Sequence, residues 1–224
     1  MTRGPSRWAV LAVVFAVCVA ADQWTKYLAV ERLTVALSRA GELTVGERVS
    51  AFYGRRHLEP LATEPYYVWR PVWRMNYVEN AGAAWGMFRG LSPGLRNAFF
   101  TLISLGAVAF IVTYYRRLRE DQRTLQVALA MVLSGAVGNF LDRLARRYVI
   151  DFVEWYWWNR PDIRWPTFNL ADSLIVVGVA LLVVHPGAKV EPAVAGGGAA
   201  RRRLGPGRSG SDRGAPPPGR PALR

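Results

Sequence analysis

Apolar residues gather in four blocks, residues 8–30, 97–115, 125–144 and 168–184, separated by segments in which polar and charged residues dominate. About 20 mostly apolar residues is the length of a membrane-crossing helix, so each block predicts one span. Only the second block is free of charge. Between the first two spans, residues 66–88 alternate loosely between apolar and polar, interrupted by Pro71 and by the small residues 81–84. That alternation predicts short strands, hence a small sheet lying on the membrane surface. Residues 145–160 predict a short amphipathic helix in the interface. From His185 onward Gly, Pro, Ala and Arg prevail and too little apolar surface is available to fold, which predicts a disordered tail over residues 185–224. The expected architecture is a membrane α-helical protein of four transmembrane helices with a small extracytoplasmic β-sheet and a short interfacial helix.

The first block has a basic start and an apolar middle, as a cleavable signal segment does. Apolar residues resume after Asp22 and Lys26, however, and give it the length of a retained span.

Basic residues orient the bundle, because Lys and Arg in short flanks stay on the cytoplasmic side. Arg3 and Arg7 precede the first span, Arg116, Arg117, Arg119 and Arg123 separate the second and third, and Arg201, Arg202 and Arg203 follow the fourth. Both termini are then cytoplasmic, and segments 31–96 and 145–167 lie outside. Arg146 and Arg147 fall on the outer side and run against the rule. The outer segments carry Trp69, Trp73, Trp85, Trp155, Trp157, Trp158 and Trp165, the makeup of an interfacial belt.

Composition narrows the chemistry. A net charge of +13 beside 51% hydrophobic content requires that basic and apolar blocks be segregated, as they are. A single cysteine, Cys18, excludes a disulfide framework, and with only His57 and His185 a zinc centre is poorly supplied, so no metal or cofactor is expected. A basic tail beside a cytoplasmic membrane face predicts attraction to anionic membrane lipid rather than to nucleic acid.

Orientation gives each intramembrane polar residue a depth. Asp22 and Lys26 lie in the outer part of the first span, four residues apart on one face and able to pair. Asn139, Asp142 and Arg143 occupy the last turns of the third span, and Asn169 and Asp172 the first turns of the fourth. Asn80 and Asp151 belong to the outer segments that join these ends. Taken singly, each has an ordinary structural role available, such as an ion pair, a helix-dipole partner or inter-helix glue. Several carboxylates left unpaired near hydrocarbon would cost several kcal/mol, so the cluster as a whole signals function.

Two carboxyl groups that meet at such a depth cannot both ionise cheaply; they share a proton and titrate as a unit. The ionised partner can activate water against a peptide carbonyl while the protonated one hydrogen-bonds its oxygen, which is the aspartic-protease arrangement. Spacing does not decide whether Asp142 or Asp151 partners Asp172. A transporter or ion-conducting protein with an outer-leaflet polar site remains the alternative, although such a path calls for ionisable residues at several depths.

Four blocks settle on one likeness: DQWTK at residues 22–26, NAGAAWGMF at 80–88, GNFLDR with the following VIDFV at 138–153, and FNLAD at 168–172. In this order the chain resembles the lipoprotein signal peptidase (signal peptidase II) family of bacterial inner-membrane aspartic proteases, over about residues 8–184. The resemblance implies that Asp151 and Asp172 are the catalytic pair and that Asp142 supports them. It further implies that Asn80, Asn139, Arg143 and Asn169 contact substrate or orient the oxyanion, that Asp22 and Lys26 are polar support on the first helix, and that Gly82 belongs to the supporting set. The implied substrate is a prolipoprotein whose Cys already bears diacylglycerol, cut on the N-terminal side of that Cys at the outer face of the membrane; separately, the enzyme is expected to be a monomer. Residues 38–65 read as a polar insertion beside this site, for which a tolerated surface loop is the simplest role.

Overall fold

The structure, a computed structural model, describes residues 4–37, 43–54, 57–82 and 92–185. Helix α1 (Arg7–Leu33) begins where the Ser6 hydroxyl accepts the Ala9 amide, satisfying a donor that every helix start leaves open. Helix α2 (Val45–Gly54) and a single 3-10 turn, Glu59–Leu61, lead to strands β1 (Tyr66–Trp69) and β2 (Trp73–Asn80). Then come α3 (Pro93–Tyr115), α4 (Arg123–Arg146), β3 (Val149–Trp157), β4 (Arg160–Arg164) and α5 (Leu170–Val184). The predicted tail from residue 186 on, part of the insertion (38–42 and 55–56) and residues 83–88 of the NAGAAWGMF block lie outside the described residues.

Helices α1, α3 and α4 are long and apolar enough to cross a membrane. Helix α5 has 15 residues, about 22 Å at 1.5 Å per residue, and is apolar along its length. Helix α4 is the hub, packing on α1, α3 and α5 with buried positions from Leu125 to Arg146. By contrast α1 and α3 expose Val13, Val17, Leu102 and Phe110, the apolar exterior of helices that face lipid rather than water. One core cluster, Ile111, Tyr115, Leu118, Leu125, Leu129 and Leu133, ties α3 to α4 at one end. There the Tyr115 hydroxyl donates to the Arg7 carbonyl at 2.6 Å. A second cluster at the other end joins the close of α1 to the sheet through Val30, Leu33, Tyr77, Ile150 and Phe152, and takes in Phe52 of α2.

The four strands form one antiparallel sheet in the order β1-β2-β3-β4. Residues 145–160 are thus not an interfacial helix. Val149–Trp157 is rich in β-branched and aromatic residues, and its outer half alternates buried Glu154 and Tyr156 with exposed Trp155 and Trp157, a period of two that only a strand satisfies. Glu154 is neutralised by Arg74 across the strand pair and accepts the Asn76 amide at 3.1 Å. A short helix does lie between α1 and the sheet: α2, which falls in the segment read as an insertion. The expected sheet over 66–88 ends as a strand at Asn80, and its continuation is β3, some 70 residues on.

Candidate active site

Sequence-distant elements converge where the C-terminal ends of α1 and α4 meet the start of α5 and the middle of the sheet. Register between β2 and β3 sets Val78 opposite Asp151 and Asn80 opposite Val149, so Asn80 lies diagonally across from Asp151. The Asn80 amide donates to Asp151 Oδ2 at 2.9 Å, while its carbonyl takes the Gly82 N–H at 2.8 Å. Gly82 itself has φ +96°, and a Cβ there would sit 2.2 Å from the Phe100 ring, so only glycine fits.

Asp172 is placed by the first turn of α5. Asn169 caps that helix: its side-chain oxygen accepts the Asp172 N–H at 3.0 Å, and Asp172 Oδ2 accepts the Asn169 N–H at 3.2 Å, a capping box. The same Asn169 sends its amide to Asp151 Oδ1 at 2.7 Å and to Asn139 Oδ1 at 3.1 Å. Asn139 in turn donates to Asp172 Oδ1 at 2.7 Å. Asn169 therefore touches both acids, Asp151 through its side-chain amide and Asp172 through its backbone N–H, and Asn139 adds a second path from Asn169 to Asp172. Asp151 is 1% exposed and Asp172 half-buried. Burial, and after it the Asp172 charge, pushes the Asp151 carboxyl up to about 7, against the opposing pull of the Asn80 and Asn169 amides.

A second set of acids lies beside the first. Lys26 Nζ bonds Asp22 Oδ2 at 2.9 Å, Asp142 Oδ2 at 2.8 Å and Asn139 Oδ1 at 3.1 Å, which uses all three of its donors. Asp142 also pairs with Arg146 at 2.8 Å, and Asp22 accepts the Ala171 N–H at 3.0 Å. All four charged side chains are buried, two of each sign. Gly138 makes room for this, since a Cβ there would stand 2.4 Å from Asp22 Oδ2. Arg143 lies over the Phe100 ring at 5.2 Å, donates to the Asn139 carbonyl, and its charge acts on Asp172, Asp151 and Asp142.

The structure thus brings together every polar residue singled out in the sequence. It also adds three that were passed over. Gln23 donates to Asp22 at 3.1 Å, Tyr53 of α2 donates to Gln23 at 3.0 Å, and Arg146 closes the buried charge group. Gln23 was visible within DQWTK; Arg146 was noticed only as an exception to the orientation rule.

A peptidase-family profile described as Signal peptidase (SPase) II matches residues 14–186. The lipoprotein signal peptidase of Anaeromyxobacter sp. strain Fw109-5 is 75% identical over 182 residues, 81% of this chain and 86% of that protein. The chain belongs to the signal peptidase II family. A lipoprotein signal peptidase from Geobacillus thermodenitrificans is 33% identical over 81% of the chain and 92% of its own length. In fold, the chain is similar to a bacterial membrane enzyme solved by the in meso method at 2.3 Å resolution, with a TM-score of 0.55 and 24% identity over 82% of this chain and 93% of that one. As a signal peptidase II the protein is an aspartic peptidase of a bacterial membrane, crossing it more than once. The family sets aside the reading as a transporter.

Proposed function

We propose that this signal peptidase frees prolipoproteins of their signal peptides by cutting on the N-terminal side of a diacylglyceryl-modified Cys, with Asp151 and Asp172 activating the water. The observation that carries the pairing is the bridge of Asn169 and Asn139 between the two carboxyl groups, neither of which forms an ion pair among the described residues. Asp151, deeply buried and pushed up to about 7, holds the shared proton. Asp172, at the positive end of α5, is the carboxylate. It takes a proton from water as the oxygen attacks the peptide carbonyl, while Asp151 hydrogen-bonds the carbonyl oxygen. The tetrahedral intermediate then breaks as the departing amine is protonated, and the pair is again singly protonated. Arg143 and the Asn80 amide are the donors best placed to stabilise the oxyanion. The step needs no cofactor.

In this reading α5 is the fourth span, both termini are cytoplasmic, and the site opens at the outer leaflet of the cell (inner) membrane, where a lipid-tethered peptide presents its bond. Two observations support that orientation. Arg146, which ran against the basic-residue rule, is no free interfacial cation but the buried partner of Asp142. Exposed Trp69, Trp155, Trp157, Trp158 and Trp165 ring the sheet side of the molecule, as an interfacial belt would. The enzyme works as a monomer in contact with membrane lipid, and nucleic acid has no part.

Cleavage of a lipidated precursor by the purified full chain tests the assignment. Asp151→Asn and Asp172→Asn, made separately, each lower kcat by about 10³-fold or more, in line with loss of an acid–base partner. Wild-type activity in either variant overturns the pairing. In the same assay a precursor lacking diacylglycerol is cut poorly; equal cleavage of both forms overturns the lipid requirement.

A further inference from the structure

Helix α2 belongs to the segment read as a surface insertion, yet it is bound into the polar interior. Its Phe52 carbonyl accepts Arg146 Nε at 3.0 Å, and the Arg146 guanidinium lies 4.0 Å from the Phe52 ring centre and 4.9 Å from that of Tyr53. Phe52 is itself set edge-on against Tyr27 of α1 at 5.7 Å. Arg146 is thereby 1% exposed, with Nη1 on Asp142 at 2.8 Å. We propose that α2 is a positioning clamp: through Arg146 it holds Asp142 on Lys26, and so fixes which side of the Asn139 amide faces Asp172.

Each link of this relay has a physical reason. Lys26 carries only donors, so the groups around it must be acceptors. Asn139 therefore turns Oδ1 toward Lys26 and the Asn169 amide, both at 3.1 Å, and this leaves its Nδ2 for Asp172 at 2.7 Å. A flipped Asn139 would present an oxygen to the Asp172 carboxylate. Lys26 stays in place because Asp22 and Asp142 hold it from two sides. Two buried carboxylates on one ammonium leave one negative charge in excess, and Arg146 cancels it. Arg146 needs partners of its own in a buried site, and α2 supplies a carbonyl and two aromatic faces. Tyr53 adds a second tie, since its hydroxyl on Gln23 Oε1 turns the Gln23 amide toward Asp22 and Asp142.

Without Arg146 the reacting pair would face Asp22 and Lys26 from α1 and Asp142 and Arg143 from α4, a set one positive charge poorer. More negative surroundings hold the shared proton to higher pH, and a looser Lys26 no longer dictates the Asn139 orientation. The inference rests on Asp151 and Asp172 as the reacting pair; Arg146 and Phe52 are positioning residues that do not touch substrate.

The test is the pH profile of kcat and KM for cleavage of lipidated precursor by purified full-length Arg146→Met, Arg146→Lys and Phe52→Leu. Arg146→Met lowers kcat about 10-fold with KM changed less than about twofold, as misplacement of a reacting group does. Its acidic limb moves up by about half to one pH unit, since a nearby positive charge is gone. Arg146→Lys returns the limb toward the wild-type position, and Phe52→Leu lowers kcat roughly threefold at unchanged KM. Wild-type kcat and pH profile in folded Arg146→Met overturns the clamp, as does a fall in the yield of folded enzyme alone. Should Arg146→Met fail to fold, Phe52→Leu decides: a lowered kcat at unchanged KM supports the clamp, and a wild-type profile overturns it. If Asp151→Asn and Asp172→Asn abolish cleavage while these variants are silent, only the clamp falls.

Discussion

Two pairs of aspartates lie side by side in this protein and differ in the company they keep. Asp22 and Asp142 are held by cations, Lys26 between them and Arg146 beyond, so their charge is cancelled in place. Asp151 and Asp172 are held by the amides of Asn80, Asn139 and Asn169 and by a backbone N–H. An amide orients a carboxyl without fixing its charge. The first pair is built into ion pairs that tie the helices together; the second, by our proposal, passes the proton. Asp151 differs from Asp22 and Asp142 in the charge of its neighbours and not in burial: Asp22 and Asp142 are 0% exposed and Asp151 is 1%, while Asp172 is half-buried.

The contrast can be broken first at its strongest point. The Asn variants of Asp151 and Asp172 lose cleavage by about 10³-fold or more while the protein stays folded, since each gives up an acid–base function rather than an ion pair. Lys26→Met gives the opposite signature, with Asp22 left buried without a cation and folding destabilised by about 3–5 kcal/mol. Thermal unfolding in detergent checks it: a midpoint equal to wild type would mean that the ion group does not hold the helices together. A pH series sharpens the difference further. The Asp151 carboxyl is raised in the folded state to about 7 from an unfolded value near 3.9, so the folded protein keeps a proton that the unfolded chain releases. Its contribution is full below about pH 4 and is lost as pH rises toward 7 and beyond, by up to about 4 kcal/mol. Wild-type thermal stability therefore falls between about pH 4 and 7, and Asp151→Asn flattens that slope. An unchanged slope in the variant would place the titration elsewhere. The smallest effect is that of Phe52→Leu on kcat, roughly threefold, because it acts only through Arg146.

Much of this was legible along the chain. The apolar blocks gave α1, α3, α4 and α5 to within a few residues, and the four-residue spacing of Asp22 and Lys26 gave their ion pair. The choice between Asp142 and Asp151 was not legible, because both follow Asn139 closely and both lie at the same depth. The structure shows how their surroundings differ: Arg146 reaches back one helical turn to Asp142, whereas a strand register carries Asn80 to Asp151. Such pairings join residues 71 apart and have no local signal. The strand Val149–Trp157 was misread because its aromatic residues resemble an interfacial helix, and because its first four residues are all buried and hide the alternation. Arg146 looked like a misplaced surface charge, since burial cannot be seen in a sequence.

The capping box at Asn169 and Asp172 has a consequence for motion. A side chain that closes the first turn of a helix is anchored by the helix it starts, and here that side chain belongs to Asp172, one of the proposed catalytic pair. Loosening Asp172 enough to swing it aside would unwind the turn and release Asn169 from Asp151 as well. The proposed centre is thus a rigid floor, and the breathing that admits a peptide and lets its two halves leave must take place in the walls around it.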